Sequence, residues 1–227
     1  MPVSDFATLS DAFGSSELWR IIALSLSVSL SATALAAALG LPLGTVLVVR
    51  SFPGRGAIVV AANALLGLPP VVVGLGLYLL LSHSGPFGGL ELLFTPTAMV
   101  IAQAMLALPI IVALAHRAAE ESWTAYGDAL MDLGASRLRA VPALIAMARG
   151  PMLTAVLAGF GRTVSEVGAI IIVGGNIAAY TRTMTTAIVL ETSKGNLPLA
   201  LGLGLVLIGL TVMICAGAFV LTERRNR

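Results

Sequence analysis

From Ile21 to Val49 no side chain carries a charge. Wound as a helix at about 1.5 Å per residue, that stretch is longer than the ~30 Å hydrocarbon core of a bilayer. Comparable charge-free runs cover residues 56–81, 94–115 and 197–221, and a fourth run over 152–173 holds only Arg162 and Glu166. With 11% charged residues and 58% apolar ones, the chain has too few charges to cover a soluble globule. Backbone groups inside lipid must find partners within their own segment, so runs of this length read as helices. The sequence therefore predicts an all-α integral membrane protein with about five transmembrane helices, over 21–49, 56–81, 94–115, 152–173 and 197–221, within one domain spanning 1–227.

The polar stretches refine that plan. Residues 1–20 hold Asp5, Asp11, Glu17 and Arg20 but no basic region ahead of the first apolar run, so no cleaved signal peptide is expected. Gly40 and Gly44 give the first span a face for close helix approach, with Pro42 a kink between them. Pro69 and Pro70 remove two backbone donors in the second span and predict a break there. Ser82 to Glu91 reads as a surface loop, and His83 in it as a solvated histidine. Gln103 and Asn63 are expected to hydrogen-bond across helices. Met184 to Leu190 is too short to cross and reads as an interfacial or half-inserted helix. Cys215 is the single cysteine, so no intramolecular disulfide can form. No basic stripe interleaved with aromatics indicates nucleic acid, and no His, Cys or carboxylate spacing makes a metal site.

The fourth run carries the one ion pair predicted in hydrocarbon. Counted from Met152, Arg162 lies about 15 Å along a helix and Glu166 one turn further. Their i, i+4 spacing places them on one helical face, where they pair as a register lock or face a polar path. Thr163 and Ser165 add hydroxyls, and Gly174-Gly175 ends the run.

Tyr126 to Pro151 is a polar island between apolar runs, with Asp128, Asp132, Arg137, Arg139 and Arg149. Its period predicts two short helices hinged at Gly134, within a segment of about 124–148. Ala129, Leu130, Leu133 and Leu138 recur at helical spacing and give it an apolar face that a partner protein can grip. Five spans put the termini on opposite sides. One side holds Arg50, Arg55, Arg117, Arg137, Arg139, Arg149, Arg224, Arg225 and Arg227, against Arg20, Arg182 and Lys194 on the other. That asymmetry places the island and the C-terminus in the cytoplasm and the N-terminus outside.

The island resembles the coupling segment of ABC-importer permeases, a Glu-Ala-Ala, three residues, Gly signature that stands here as Asp128-Ala129-Leu130-Met131-Asp132-Leu133-Gly134, followed by Ala135-Ser136-Arg137. Asp128 replaces Glu, Leu130 replaces Ala, and Met147 stands where a proline is common. Leu68 to Gly74, Ser84-Gly-Pro-Phe-Gly88 and Thr95 to Ala98 with Pro109 are similar to the molybdate, sulfate and tungstate permease group. Gly161 to Gly168, Gly174-Gly-Asn-Ile177, Thr181 to Ile188 and Glu191 to Gly195 resemble its tungstate branch.

The resemblance implies the MetI-like ABC permease fold, working as a homodimer in the bilayer of a bacterial or archaeal plasma membrane. It implies a permease subunit of an ATP-driven importer for tungstate, or for molybdate or sulfate, that opens alternately to either side. Its partners would be a dimeric cytoplasmic ATPase, docked at Asp128, Ala129, Leu130, Leu133, Gly134, Ala135, Ser136 and Arg137, and an extracytoplasmic oxyanion-binding protein. The chain itself has no glycine-rich phosphate loop with Lys-Ser/Thr, so ATP hydrolysis is expected on the separate subunit. A tetrahedral dianion needs weak hydrogen-bond donors along its way, for which Thr163, Ser165 and the amides of Gly174 and Gly175 are candidates beside Arg162 and Glu166. No cofactor is expected. An intramembrane enzyme finds no Gly-x-Ser-x-Gly, paired aspartates or His-Glu-x-x-His, leaving only Glu166 or His116 as acid or base. A secondary transporter would show matching inverted halves, and the sequence has none.

Overall fold

The computed structural model describes residues 16–224. Asp5, Asp11, the expected extracytoplasmic N-terminus and the arginines Arg225 and Arg227 of the tail lie outside them. The helices among the described residues are α1 (Ser16–Val49), α2 (Arg55–Ala64), α3 (Pro70–Leu81), α4 (Pro96–Asp132), α5 (Ala140–Met147), α6 (Arg149–Val164), α7 (Gly168–Gly174), α8 (Met184–Ser193) and α9 (Leu197–Arg224). No strand occurs among these residues. Three helices, α1, α4 and α9, are long and apolar enough to cross a membrane, and the number rises to five if α2–α3 and α5–α6 each count as one interrupted span.

Pro42 lies inside α1, and two other elements differ from those read in the sequence. The helix of the third apolar run does not stop with that run at Ala115: α4 continues through His116, Glu120 and Trp123 to Asp132. That extension holds four alanines, two glutamates and one each of Arg, Leu and Met, good helix formers that carry it past Gly127, and no proline interrupts it before Gly134. The first half of the island is thus the tail of a long helix, not a short helix of its own. The fourth run, 152–173, is divided: α6 ends at Val164, residues 165–167 turn, and α7 begins at Gly168. Gly161, Thr163, Ser165 and Gly168 are weak helix formers, and Thr and Ser compete for backbone partners.

The chain packs into two compact units: residues 1–31, 70–103 and 164–227 form one, residues 32–69 and 104–163 the other. In the first, α3 and α7 lie against one another with almost no side chain between them. A Cβ on Gly74 would stand 2.8 Å from the Ala169 Cα, and one on Gly168 3.0 Å from Val71 Cγ2. Pro70 and Val71 flank Gly168 while Gly74 flanks Ala169, so the two helices begin beside one another. The loop after α3 is equally tight, since a Cβ on Gly85 would be 2.2 Å from the Leu79 carbonyl oxygen. Leu18, Ile21 and Ile22 of α1 close a cluster with Met184, Ala187 and Leu203 of α8 and α9.

In the second unit Ile111 of α4 is the meeting point. It is fully buried, and a Cβ on Gly40 of α1 or Gly159 of α6 would stand 2.9 Å or 2.7 Å from its side chain. A Cβ on Gly44 would come within 2.7 Å of the Val112 carbonyl oxygen. Close helix approach of this kind, driven by dispersion between small residues, is how helices associate where the hydrophobic effect is absent. α5 meets α6 at an 81° bend at Ala148.

Candidate functional site

The island turns at the end of α4 through a backbone motif of six residues. The Gly134 N–H donates to the Met131 carbonyl at 2.9 Å and the Ala135 N–H to the Leu130 carbonyl at 3.1 Å, closing the helix in a Schellman cap. The cap requires φ +83° at Gly134, where no atom would touch an added Cβ. Glycine is there for conformation, not for space. The expected hinge is therefore a helix stop.

Beyond the turn α5 is fastened to the end of α1. Val49 packs with Ala140, Val141 and Leu144, with Leu130, Val46 and Trp123 around them. The Arg137 guanidinium donates to the Val49 carbonyl at 3.3 Å, and Arg55 Nε donates to the Leu47 carbonyl. Two cations thus satisfy carbonyls of the last turn of α1, which otherwise lack partners, at the negative end of its dipole. The role of Arg137 in joining the island to α1 could not be read from the island alone, because it depends on a contact across 88 residues.

The predicted apolar face divides. Leu130 turns inward to the Val49 cluster, whereas Ala129, Leu133 and Leu138 stay exposed with Asp128, Gly134, Ser136 and Arg137, and Ala135 is half-buried. Leu133 is 85% exposed, and Tyr126, Met131, Leu138 and Met147 also show large apolar areas. An exposed apolar set rimmed by Asp128, Asp132, Arg137 and Arg139 has the make-up of a protein-contact surface.

His116, on the same helix, is buried. Its Nδ1 lies 4.0 Å from a Glu120 carboxylate oxygen, and its Nε2 has no hydrogen-bond partner among the described residues. Burial lowers its pKa below the ordinary value; Glu120 opposes that shift, and Arg55 and Arg117 add to it. Asn63 receives a hydrogen bond from Arg117 at 3.0 Å and gives one to the Val59 carbonyl. No group of residues able to hold a metal ion occurs among the described residues.

The second set of candidates lies along the end of α6, the turn after it and α7. Arg162 belongs to the last turn of α6 and Glu166 to the turn after it. The continuous helix that would have put them on one face does not exist. Glu166 is 2% exposed. Its carboxylate accepts the Ala169 N–H at 3.0 Å, satisfying one of the orphan donors at the start of α7. The Thr185 hydroxyl donates to the Glu166 carbonyl at 2.8 Å. Thr163 is fully buried, hydrogen-bonded to Thr33 at 2.9 Å and to the Phe160 carbonyl. Ser165 is exposed. Gly174 is buried and its carbonyl accepts from the Thr181 hydroxyl, while the Gly175 N–H is spent on Ile171. The hydroxyl of Thr163 and the amide of Gly175 are thus occupied inside the protein in this conformation.

Further hydroxyls lie in the first unit, in the stretch Thr181 to Ile188 that the sequence marks only by its resemblance. Thr183 caps α8 in a reciprocal box with Thr186, and Met184 N–H donates to Ser25 Oγ at 2.7 Å. A helix that starts within apolar surroundings must bring its own acceptors, which explains the Thr-rich stretch 181–186. Ser25, Ser29, Gln103, Thr183 and Thr185 line a cavity of about 10 Å³, room for about one water and too small for a tetrahedral oxyanion.

No family model matches the chain. It is 42% identical over 201 residues to the probable anion ABC transporter permease protein of Haloferax volcanii, covering 86% of this chain and 87% of that one. It is 38% identical over 207 residues to the tungstate uptake system permease protein TupB of Peptoclostridium acidaminophilum, 91% of each chain. Against the molybdenum transport system permease protein ModB of Azotobacter vinelandii the identity is 32% over 180 residues, 74% of this chain and 77% of that one.

Proposed function

The chain belongs to the ABC-transporter permeases of anion uptake systems, and from that premise we propose that it is the transmembrane subunit of an ATP-driven importer of tungstate or a closely related oxyanion. The observation that carries the reading is the length of the likeness to an anion and a tungstate permease, which runs through the island, the α6–α7 turn and the Thr-rich stretch alike. Molybdate or sulfate is the alternative within the same group, supported by more distant similarity.

In this reading two copies form the path between them. The small size of the hydroxyl-lined cavity inside one copy supports a route outside the single subunit. The exposed turn at Leu133–Arg139 docks on a cytoplasmic ATPase, and the arginine-rich side is cytoplasmic. Motion imposed on the turn reaches α1 through Arg137 and the Val49 cluster. Alternating access then follows from rearrangement of the spans. An extracytoplasmic binding protein selects and delivers the anion, and the permease offers only weak donors, Ser165 foremost because it is exposed.

The test is reconstitution in liposomes with the candidate ATPase and binding protein. ATP-dependent tungstate uptake that needs all three components is the expected result. Uptake driven by an ion gradient without the ATPase, or substrate turnover by the purified chain alone, would refute it.

A further inference from the structure

Where α1 begins, the first unit holds a cavity of about 330 Å³ between α1, α8 and α9. A smaller one of about 150 Å³ adjoins it, sharing Glu17, Ile21 and Arg182 and adding Arg20 and Tyr180. The larger volume is in the range of small-molecule pockets. Its floor is apolar: Leu18, Ile21, Ala187, Leu199 and Leu203. Its charged rim is unevenly satisfied. Lys194 is committed to Glu191 at 2.8 Å, and Glu191 also accepts from Asn196 at 3.1 Å. Arg182 is different. Its side chain is only 20% exposed, and among the described residues its Nε has no hydrogen-bond partner and its one ion pair, with Glu17, is long at 3.5 Å. A guanidinium has five donors, and leaving buried ones unused is costly.

The pocket also stands at the boundary of the hydrocarbon. Arg20 is the last charge before the uncharged run that starts at Ile21, and Lys194 the last before the run at Leu197. From the under-used guanidinium, the second cation at Arg20 and the apolar floor, we infer that this pocket binds a phosphate-bearing lipid, the headgroup phosphate on Arg182 and Arg20 and the first part of an acyl chain along Leu18, Leu199 and Leu203. A phosphodiester oxygen offers an acceptor to the Arg182 Nε. A free tetrahedral anion would meet the same arginines but would be desolvated against the leucines without gaining apolar contact. The floor favours the lipid. The inference does not rest on the transport reading.

The experiment uses the full chain purified in detergent, with thermal unfolding followed as additives are introduced. Dioleoylphosphatidylglycerol in mixed micelles is expected to raise the melting temperature in a saturable way, and dioleoylglycerol, with the same chains and no phosphate, is expected not to. Arg182→Gln and Arg20→Gln should each need about ten-fold more phosphatidylglycerol for the same shift, the loss of a charge-assisted hydrogen bond. Arg20 is exposed, so its variant folds even if the Arg182 one does not, and an unchanged lipid response in Arg20→Gln would overturn the site. A shift equally produced by dioleoylglycerol would do the same. An arginine-dependent shift produced by inorganic phosphate or tungstate without lipid would overturn the lipid assignment in favour of a soluble oxyanion.

Discussion

The contact between α3 and α7 and the turn at Leu133–Arg139 both depend on glycine, for opposite reasons. At Gly74 the space is missing: a Cβ would lie 2.8 Å from a backbone carbon and 3.2 Å from the Ala169 carbonyl oxygen. At Gly134 space is plentiful and the conformation is what matters, with φ +83° and nothing within 4 Å. The first region is sealed around a buried carboxylate, the second open and apolar on its outer side. A change in the first should therefore damage the fold, and a change in the second should spare the fold and damage what touches it.

The largest effect is expected from exchanging the charges in the sealed region. Glu166 is an acceptor for the start of α7, and an arginine there can only donate. Arg162→Glu with Glu166→Arg should lose the folded protein, because the double change leaves the Ala169 N–H without its acceptor and buries a cation, an effect of about 3 to 5 kcal/mol. Glu166→Gln, which keeps the accepting oxygen, should stay within about 1.5 kcal/mol of the parent. Melting temperature and size-exclusion profile report both. Recovery of the parent fold by the double exchange would show that the two charges act mainly on one another.

Next comes Gly74→Ala. One methyl must push apart two backbones, an overpacking change of about 1 to 3 kcal/mol. The same methyl at Gly134 meets nothing and imposes only the left-handed strain of about 1 kcal/mol. If both alanines lower the melting temperature equally, the distinction between space and conformation is wrong.

Gly134→Asp sharpens the same comparison through function. The protein should insert and melt close to the parent, while oxyanion uptake and transport-stimulated ATP hydrolysis fall together in the reconstituted system. Gly134→Asn, which tolerates positive φ without adding charge, should fall less. Full ATPase stimulation in the aspartate variant would remove the turn from the docking surface.

Much of this contrast was legible in residue order, and what was not shares one cause. Hydrocarbon runs announce helices because lipid forbids other backbone solutions, and the spacing of Gly40 and Gly44 marks a close helix approach. Pro69 and Pro70 marked the interruption between α2 and α3 because proline acts on its own neighbours. The division at 165–167 has no comparable local mark, since no proline stands there. It depends on Glu166 reaching the Ala169 N–H and on Thr185 arriving from 19 residues away. Arg137 stands out by its charge, but its bond to Val49 depends on a residue 88 positions away. Local chemistry can be read along the chain, and partners distant in sequence cannot.

His116 combines the two regions' properties, being buried like Glu166 yet carried on the helix that ends in the open turn, and the smallest effect is expected there. Its folded-state pKa is held below the ordinary imidazole value of about 6.5, first by burial, with Glu120 acting against the shift and Arg55 and Arg117 adding to it. Above 6.5 the imidazole is neutral in both the folded and the unfolded chain, and stability does not change with pH on its account. As pH falls through 6.5 the unfolded chain takes up the proton first, so stability declines until the lower, folded-state value is passed. The decline stops there. Replacing His116 with Gln removes the titration while keeping a polar group of similar reach, so the variant should lose less melting temperature than the parent between pH 7 and pH 5. An acid decline of the same slope in His116→Gln would assign it to other groups, Glu120 among them. A decline that was steeper in the variant would mean that the protonated imidazole pairs with Glu120 strongly enough to reverse the sign, and the buried, unpartnered Nε2 would then have found an acceptor.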